Sequence, residues 1–361
     1  MIECVGPDSL SSLPQIVQDL NCKKVYLVTG QNSFRASGAA ARFKDLLPGE
    51  DVEHFDEVVP NPSIKSIEKA VFSCPEGDDV CVVAVGGGSV LDTGKLVSVF
   101  AKTKLSREEM LSGKVDPQQK LPFIAVPTTA GSGSEATHFA SIFEDGGKTS
   151  VQHPCLLPEA AIVDWTLSAN LPAVTTAYTG LDCLCQAMES FWSRNATAVS
   201  MDYAKRAMEL AWEYLPQAVG ESTPQSRAAM AEAAFLAGKA INISFTTLCH
   251  SLSYVLTSDY GIPHGHAVAV FMPGALRLNE GSSSSVFEIY EVLGAKNGSE
   301  AAAKFEALMT QINCAIRLSD LGVATAQEQA ALVHKLNHSR LRNNPKNVSE
   351  QELLDLVFSA A

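Results

Sequence analysis

The sequence predicts a two-part chain: an N-terminal α/β segment on a parallel sheet, residues 1–167, followed by an all-α segment, residues 168–361. Three observations carry this. Short apolar, β-branched runs alternate with helix-like stretches as far as about Asp164, glycine- and hydroxyl-rich loops follow two of those runs, and beyond Pro172 apolar residues recur at helical spacing.

Taken in order, "KKVYLVTG", "DDVCVVAVGGG", "LPFIAVPTT" and "AAIVDW" are near-continuous apolar runs bounded by Gly and Pro. Runs of that kind are buried on both faces, as strands of βαβ units are, and "ARFKDLL" reads as one of the intervening helices. The later segments "GLDCLCQAMESFW", "MDYAKRAMELAWEYL", "RAAMAEAAFLAGKAINIS" and "SEAAAKFEALMTQI" carry the spacing of packed helices and predict a helical bundle. "NEGSSSSVFE" is a surface loop by composition.

At 361 residues the chain is long enough for about two domains, each with its own core. A hydrophobic content of 46% with 19% charged residues is that of a globular protein. The formal charge of -13 argues against polyanionic partners, so neither nucleic acid nor an acidic membrane surface is expected. The nine cysteines are scattered and odd in number, which fits reduced thiols better than a disulfide framework. With no signal-like start and no apolar run of membrane-spanning length, a cytoplasmic location is expected.

In "CVVAVGGGSVLDTGK" a buried strand ends in Gly86, Gly87 and Gly88, with Ser89 where a helix N-cap would stand and Asp92 one turn on. Bare amides at a helix start make an anion site, and glycines let a pyrophosphate approach. A tight turn that needs positive φ is the alternative. A second loop, "VPTTAGSGSE", follows another strand with Thr128, Thr129, Gly131, Ser132 and Ser134. Two such loops on one carboxyl edge are where doubly wound sheets bind nucleotides.

The helical part carries other chemistry. Asp182 and Gln186 lie one turn apart on an apolar helix, and "LCHSLSYVLTSDYGIPHGHAV" supplies His250, His264 and His266. A carboxylate with two histidines suits a divalent transition metal with an open position, whereas a lone histidine is more often a satisfied core residue.

These motifs, together with "AIVDWTLSANLP", "CHSLSY…PHGHA" and "NNPKNVSEQEL", resemble the iron-containing, metal-dependent group III alcohol dehydrogenases over nearly the whole chain. The resemblance implies a Rossmann-like dinucleotide domain, an all-helical metal domain, an active site in the cleft between them, and a homo-oligomer, a dimer. It implies cofactor contacts from Gly87, Gly88, Ser89 and Asp92, a nicotinamide side lined by Thr128, Thr129 and Ser132, and a ribose-side Lys148. The metal positions fall on Asp182, Gln186, His250 and His264, with one Fe or Zn. Gln186 departs from the family's usual histidine, and Tyr254 replaces another that relays protons. His266 or Tyr254 is expected to return the proton. NADH is the expected cofactor and NADPH the alternative.

Within the family, "EATHFA", "DCLCQAMESFWS", "AGKAINIS" and "GIPHGHAVAV" resemble the phosphonoacetaldehyde and sulfoacetaldehyde reductases, which implies a small anionic aldehyde as substrate. Lys239, in an apolar helix where a buried ammonium needs a counter-charge, is the expected anion reader, with His138 and Ser244 beside it. Snorkelling to solvent is the other account of Lys239. A general short-chain alcohol dehydrogenase, a dehydroquinate-synthase-like cyclase and a non-catalytic nucleotide-binding protein are the competing readings.

Overall fold

The structure is a computed structural model and describes residues 1–47, 51–144, 147–336 and 338–360. The chain divides after Leu171 into two compact units, Met1–Leu171 and Pro172–Ala361.

The first unit holds strands β1 (Ile2–Val5), β2 (Lys24–Gly30), β3 (Asp51–Val58), β4 (Val80–Gly86), β5 (Phe123–Pro127), β6 (Phe139–Glu144), β7 (Gly147–Gln152) and β8 (Ala160–Val163). Six of them form a parallel sheet in the order β1-β8-β5-β4-β2-β3, and β6 pairs β7 in an antiparallel ribbon. The runs read as buried strands are β2, β4, β5 and β8. Their side chains alternate between two cores: Tyr26, Val28, Val82, Ala84, Phe123 and Ala125 face one, and Val25, Leu27, Val83, Val85, Ile124 and Val126 the other. Both faces are covered, so no polar alternation is seen in the sequence.

The strands without an apolar run are at the edges or off the sheet. In β3, Asp51, Val52, Glu53 and His54 are exposed, and the edge strand β1 is largely so. The chain leaves β2 toward β3 in one direction and β4 toward β5 in the other, so the order reverses between β2 and β4. Helix α1 (Gly88–Phe100) follows β4 directly and packs back on β4 and β5. Register sets Gly86 opposite Pro127, so the loops after β4 and β5 start level.

The second unit is helical. Its centre is α2 (Ala173–Trp192), α3 (Ala198–Val219) and α4 (Pro224–Ser244), which pack on one another. Thr197 and Thr223 cap α3 and α4 through reciprocal bonds with Ser200 and Ser226, which sets where the two helices begin. Helix α5 (Leu248–Ser258) and the short α6 (His264–Ala269) then pack against each other, and α6 also packs against α2. Among the described residues no helix is long and apolar enough to cross a membrane.

Candidate active site

In the first unit the N-cap of α1 is Gly87, in extended conformation, and not Ser89, which lies inside the first turn. Val90 and Leu91 donate to the Gly87 carbonyl at 2.9 and 3.1 Å, so the Gly88 and Ser89 amides stay without a partner among the described residues. The second loop lies against this turn. Thr128 N–H donates to the Gly86 carbonyl at 3.0 Å. A Cβ on Gly87 would stand 3.3 Å from Thr129 Cγ2, and one on Gly88 2.9 Å from Ser132 Oγ, so the glycines allow the two loops to touch. Ser89 Oγ accepts from Asn61 N–H at 3.2 Å, which brings a third loop to the same edge. Lys148, on β7, lies with Nζ 5.8 Å from the Phe143 ring.

Asp92, an expected cofactor contact, is also engaged within the protein. Its Oδ1 accepts from Ser134 Oγ at 2.6 Å and its Oδ2 from Ser141 N–H at 2.9 Å, so both oxygens serve the protein.

In the second unit Asp182, Gln186 and Glu189 project from one face of α2, and all three are buried. His250 comes from α5 and His264 from the first residue of α6. Ligand atoms of Asp182, His250 and His264 all lie within 4.8 Å of one another. The junction depends on Gly265: a Cβ there would stand 1.9 Å from the Tyr178 carbonyl and 2.9 Å from Asp182 Cβ. Only glycine lets α6 approach α2 closely enough to set His264 beside Asp182.

The residues present fit a bound divalent cation. Gln186 Oε1 is buried with no hydrogen-bond partner among the described residues, and His250 Nε2 lies 3.4 Å from Asp182 Oδ1. A buried acceptor without a donor is costly, and clustered oxygen and imidazole donors are the ligand types a divalent transition metal takes. Burial opposes a charged His250, but Glu189 and Asp182 outweigh it and hold its pKa up at about 9. The pocket therefore favours positive charge.

Glu189 is a site residue that the sequence did not reveal. It is fully buried and accepts from Thr247 Oγ1 at 2.7 Å, from Cys249 N–H at 2.7 Å and from His250 Nδ1. Trp192 Nε1–H donates to the same Thr247 hydroxyl at 2.9 Å. The only signal was a carboxylate two turns after Asp182 on an apolar helix.

Several expected site residues are engaged elsewhere. His266 does not join the donor set: its Nε2 bonds the Ala315 carbonyl at 2.7 Å and its ring stacks on Tyr178, with centroids 5.2 Å apart. Tyr254, one turn after His250, instead stacks on the His264 ring at 6.5 Å. Ser244 is fully buried and shares a 2.6 Å bond with Ser190 Oγ, which leaves an anion no access. His138 belongs to the first unit and contacts Gln152 Nε2 at 3.1 Å. Lys239 is half-buried, with Nζ 4.8 Å from the Tyr203 ring and 5.2 Å from the Phe235 ring, so aromatic faces stabilise its ammonium.

A parallel-sheet unit with two adjoining glycine loops, followed by a helical unit in which Asp182, His250 and the half-buried His264 offer ligand atoms within 4.8 Å of one another, is the architecture of a nucleotide-linked enzyme with a candidate metal site. The family model for iron-containing alcohol dehydrogenases matches residues 4–165, and the model for the C-terminal part of the Fe-containing alcohol dehydrogenase family matches residues 176–361. The chain belongs to the iron-containing alcohol dehydrogenase family and is an oxidoreductase acting on CH–OH groups.

It is 30% identical to the probable alcohol dehydrogenase EutG of Escherichia coli (strain K12), with 98% of this chain and 92% of that protein covered. It is 32% identical to the 1,3-propanediol dehydrogenase of Klebsiella pneumoniae, over 98% of this chain and 96% of that one. Among solved structures, sulfoacetaldehyde reductase from Bifidobacterium kashiwanohense in complex with NAD+ superposes with a TM-score of 0.92 at 31% identity, covering 100% of this chain and 96% of that one.

Proposed function

We propose that this chain reduces a short aldehyde bearing a terminal sulfonate or phosphonate to the 2-hydroxyethyl product, with NADH as hydride donor. The cluster of Asp182, His250 and His264, with the unpartnered Gln186 Oε1 on the same face of α2, carries the reading, and the likeness to a sulfoacetaldehyde reductase supports the substrate class. Asp182, Gln186, His250 and His264 would hold a divalent ion, which when bound would supply Lewis acidity, and the glycine loops would hold a nicotinamide, which would supply hydride.

The chain's own residues do the rest. The Gly88 and Ser89 amides receive the cofactor phosphates at the positive end of α1, while Thr128, Thr129 and Ser132 border them from the second loop, with Lys148 on the ribose side. Glu189 fixes the His250 ring. The Tyr254 hydroxyl, stacked at His264, carries the proton to the product oxygen in preference to His266, whose Nε2 is held by Ala315. Lys239 reads the anionic tail from α4, where two aromatic rings place its ammonium without cancelling its charge.

A general short-chain alcohol and aldehyde dehydrogenase is the second reading. It is favoured by those same rings, which stabilise Lys239 without any substrate anion. Steady-state rates with sulfoacetaldehyde, phosphonoacetaldehyde and propanal, each with NADH and NADPH, separate the two. Catalytic efficiency at least about tenfold higher for an anionic aldehyde supports the first. Equal or higher efficiency for propanal selects the second.

A further inference from the structure

Lys95 lies two turns after Gly88 on the same face of α1, and its side chain is completely buried. Its ammonium donates to Ser134 Oγ at 2.8 Å, Thr137 Oγ1 at 2.8 Å and the Phe139 carbonyl at 2.9 Å. An ammonium has three protons to give, and all three are used. Ser134 Oγ passes its own proton to Asp92 Oδ1 at 2.6 Å, and Asp92 Oδ2 takes the Ser141 amide at 2.9 Å. Asp92 and Lys95, one turn apart on α1, thus fasten the whole segment from Ser134 to Ser141 to the helix.

A buried ammonium is an expensive way to fill a core, because apolar side chains of similar volume hold as well or better. What the polar clamp adds is geometry. It grips the second loop just beyond Ser132, the residue against which Gly88 packs. Burial pulls Lys95 down to about 8, against Asp92 and Glu135, which pull it up, so the charge is held there by these partners.

We propose that Lys95 is a positioning residue for the cofactor: through Ser134, Thr137 and Phe139 it sets the separation of the two glycine loops, and with it the width of the phosphate cradle. The inference rests on the proposal that these loops hold a nicotinamide dinucleotide.

Wild-type enzyme, Lys95→Met and Thr137→Val are titrated with NADH by nicotinamide fluorescence, and steady-state constants, metal content and melting temperature are measured on the same samples. Lys95→Met is expected to weaken NADH binding at least about tenfold, with the aldehyde KM, metal content and kcat at saturating NADH within about threefold of wild type. Thr137→Val, which removes one acceptor at constant volume, should move the same constant by about two- to threefold. Unchanged NADH affinity in folded Lys95→Met overturns the inference, and so does an equal loss in NADH affinity, aldehyde KM and metal content, the mark of a general structural role. If Lys95→Met does not fold, unchanged NADH affinity in Thr137→Val overturns it. A wild-type enzyme that binds neither NADH nor NADPH removes the reading of the loops itself, and the inference with it.

Discussion

Glu189 accepts the Nδ1 proton of His250, and this turns the ring's Nε2 toward Asp182, whose Oδ1 lies 3.4 Å away. A carboxylate behind an imidazole fixes the tautomer and raises the basicity of the nitrogen left free. Thr247, Cys249 and Trp192 extend the arrangement, so the orientation of one donor is set by residues on α2, α5 and the turn between α4 and α5.

Glu189→Gln keeps the volume and removes the charge. Metal affinity is expected to fall about 10- to 100-fold, and the metal-free protein should also melt lower, because the amide NH2 cannot accept as one carboxylate oxygen does and the charge facing His250 is gone. Competition with a chromogenic chelator measures the first and calorimetry the second. Undiminished affinity would show that His250 needs no anchor.

In the proposed donor set Gln186 is the weak member, an amide where imidazole would bind a transition metal better. Gln186→His should tighten metal binding, and His264→Ala should abolish both bound metal and turnover. Metal analysis after extensive dialysis checks both. Full activity in thoroughly stripped wild-type enzyme would contradict the Lewis-acid role.

Gly265→Ala introduces a Cβ 1.9 Å from the Tyr178 carbonyl, so α6 must move away from α2. A loss of about 1–3 kcal/mol in stability is expected, together with weakened metal binding, because His264 moves with the helix. Denaturant unfolding and metal titration read the two effects. Loss of stability with unaltered metal affinity would show that the donor set tolerates the shift.

Glu135, buried in the second loop, has its pKa pushed up to about 7 by burial, against its own backbone amide and Lys95, which lower it. A carboxyl raised in the folded state binds its proton more tightly there, so its contribution to stability is complete below the unfolded value near 4.5 and is lost as pH rises through 7. Lys95, lowered to about 8, titrates above that window. Glu135→Gln should therefore flatten the fall in unfolding free energy between pH 5 and 7.5, by an amount on the order of 3 kcal/mol. Parallel pH profiles for mutant and wild type would mean that Glu135 is ionised in both states.

Lys239→Met separates the two substrate readings at one residue. For an anionic aldehyde the barrier should rise by about 2–4 kcal/mol, the cost of leaving one member of a desolvated pair alone. Propanal should be affected by no more than a few-fold, since it has no charge to lose. Equal losses for all substrates would make Lys239 structural, with its aromatic contacts to Tyr203 and Phe235 the reason.

The four sheet strands β2, β4, β5 and β8 and the central helices were legible because their stability comes from burial, which leaves a periodic mark within each segment. The glycine loops were legible too: each follows an apolar run directly, and a strand buried on both faces must end where the chain turns. One face of α2 likewise displayed Asp182 and Gln186 by helical spacing alone. The edge strands β1 and β3 and the ribbon of β6 and β7 left no such mark, since a strand paired on one side or exposed on one face needs no apolar run.

Partner choice was another matter. The sequence singled out Asp92 and His266 and passed over Glu189, and none of the three showed its partners, which are Ser134 and Ser141, Ala315, and His250 respectively. By itself the sequence determined the elements, because hydrogen bonding and burial within a segment depend on neighbours in the chain. Only the tertiary structure decided which buried polar group answers which, because each such bond joins residues far apart in the chain, as from Glu189 to His250, and no local pattern records the partner.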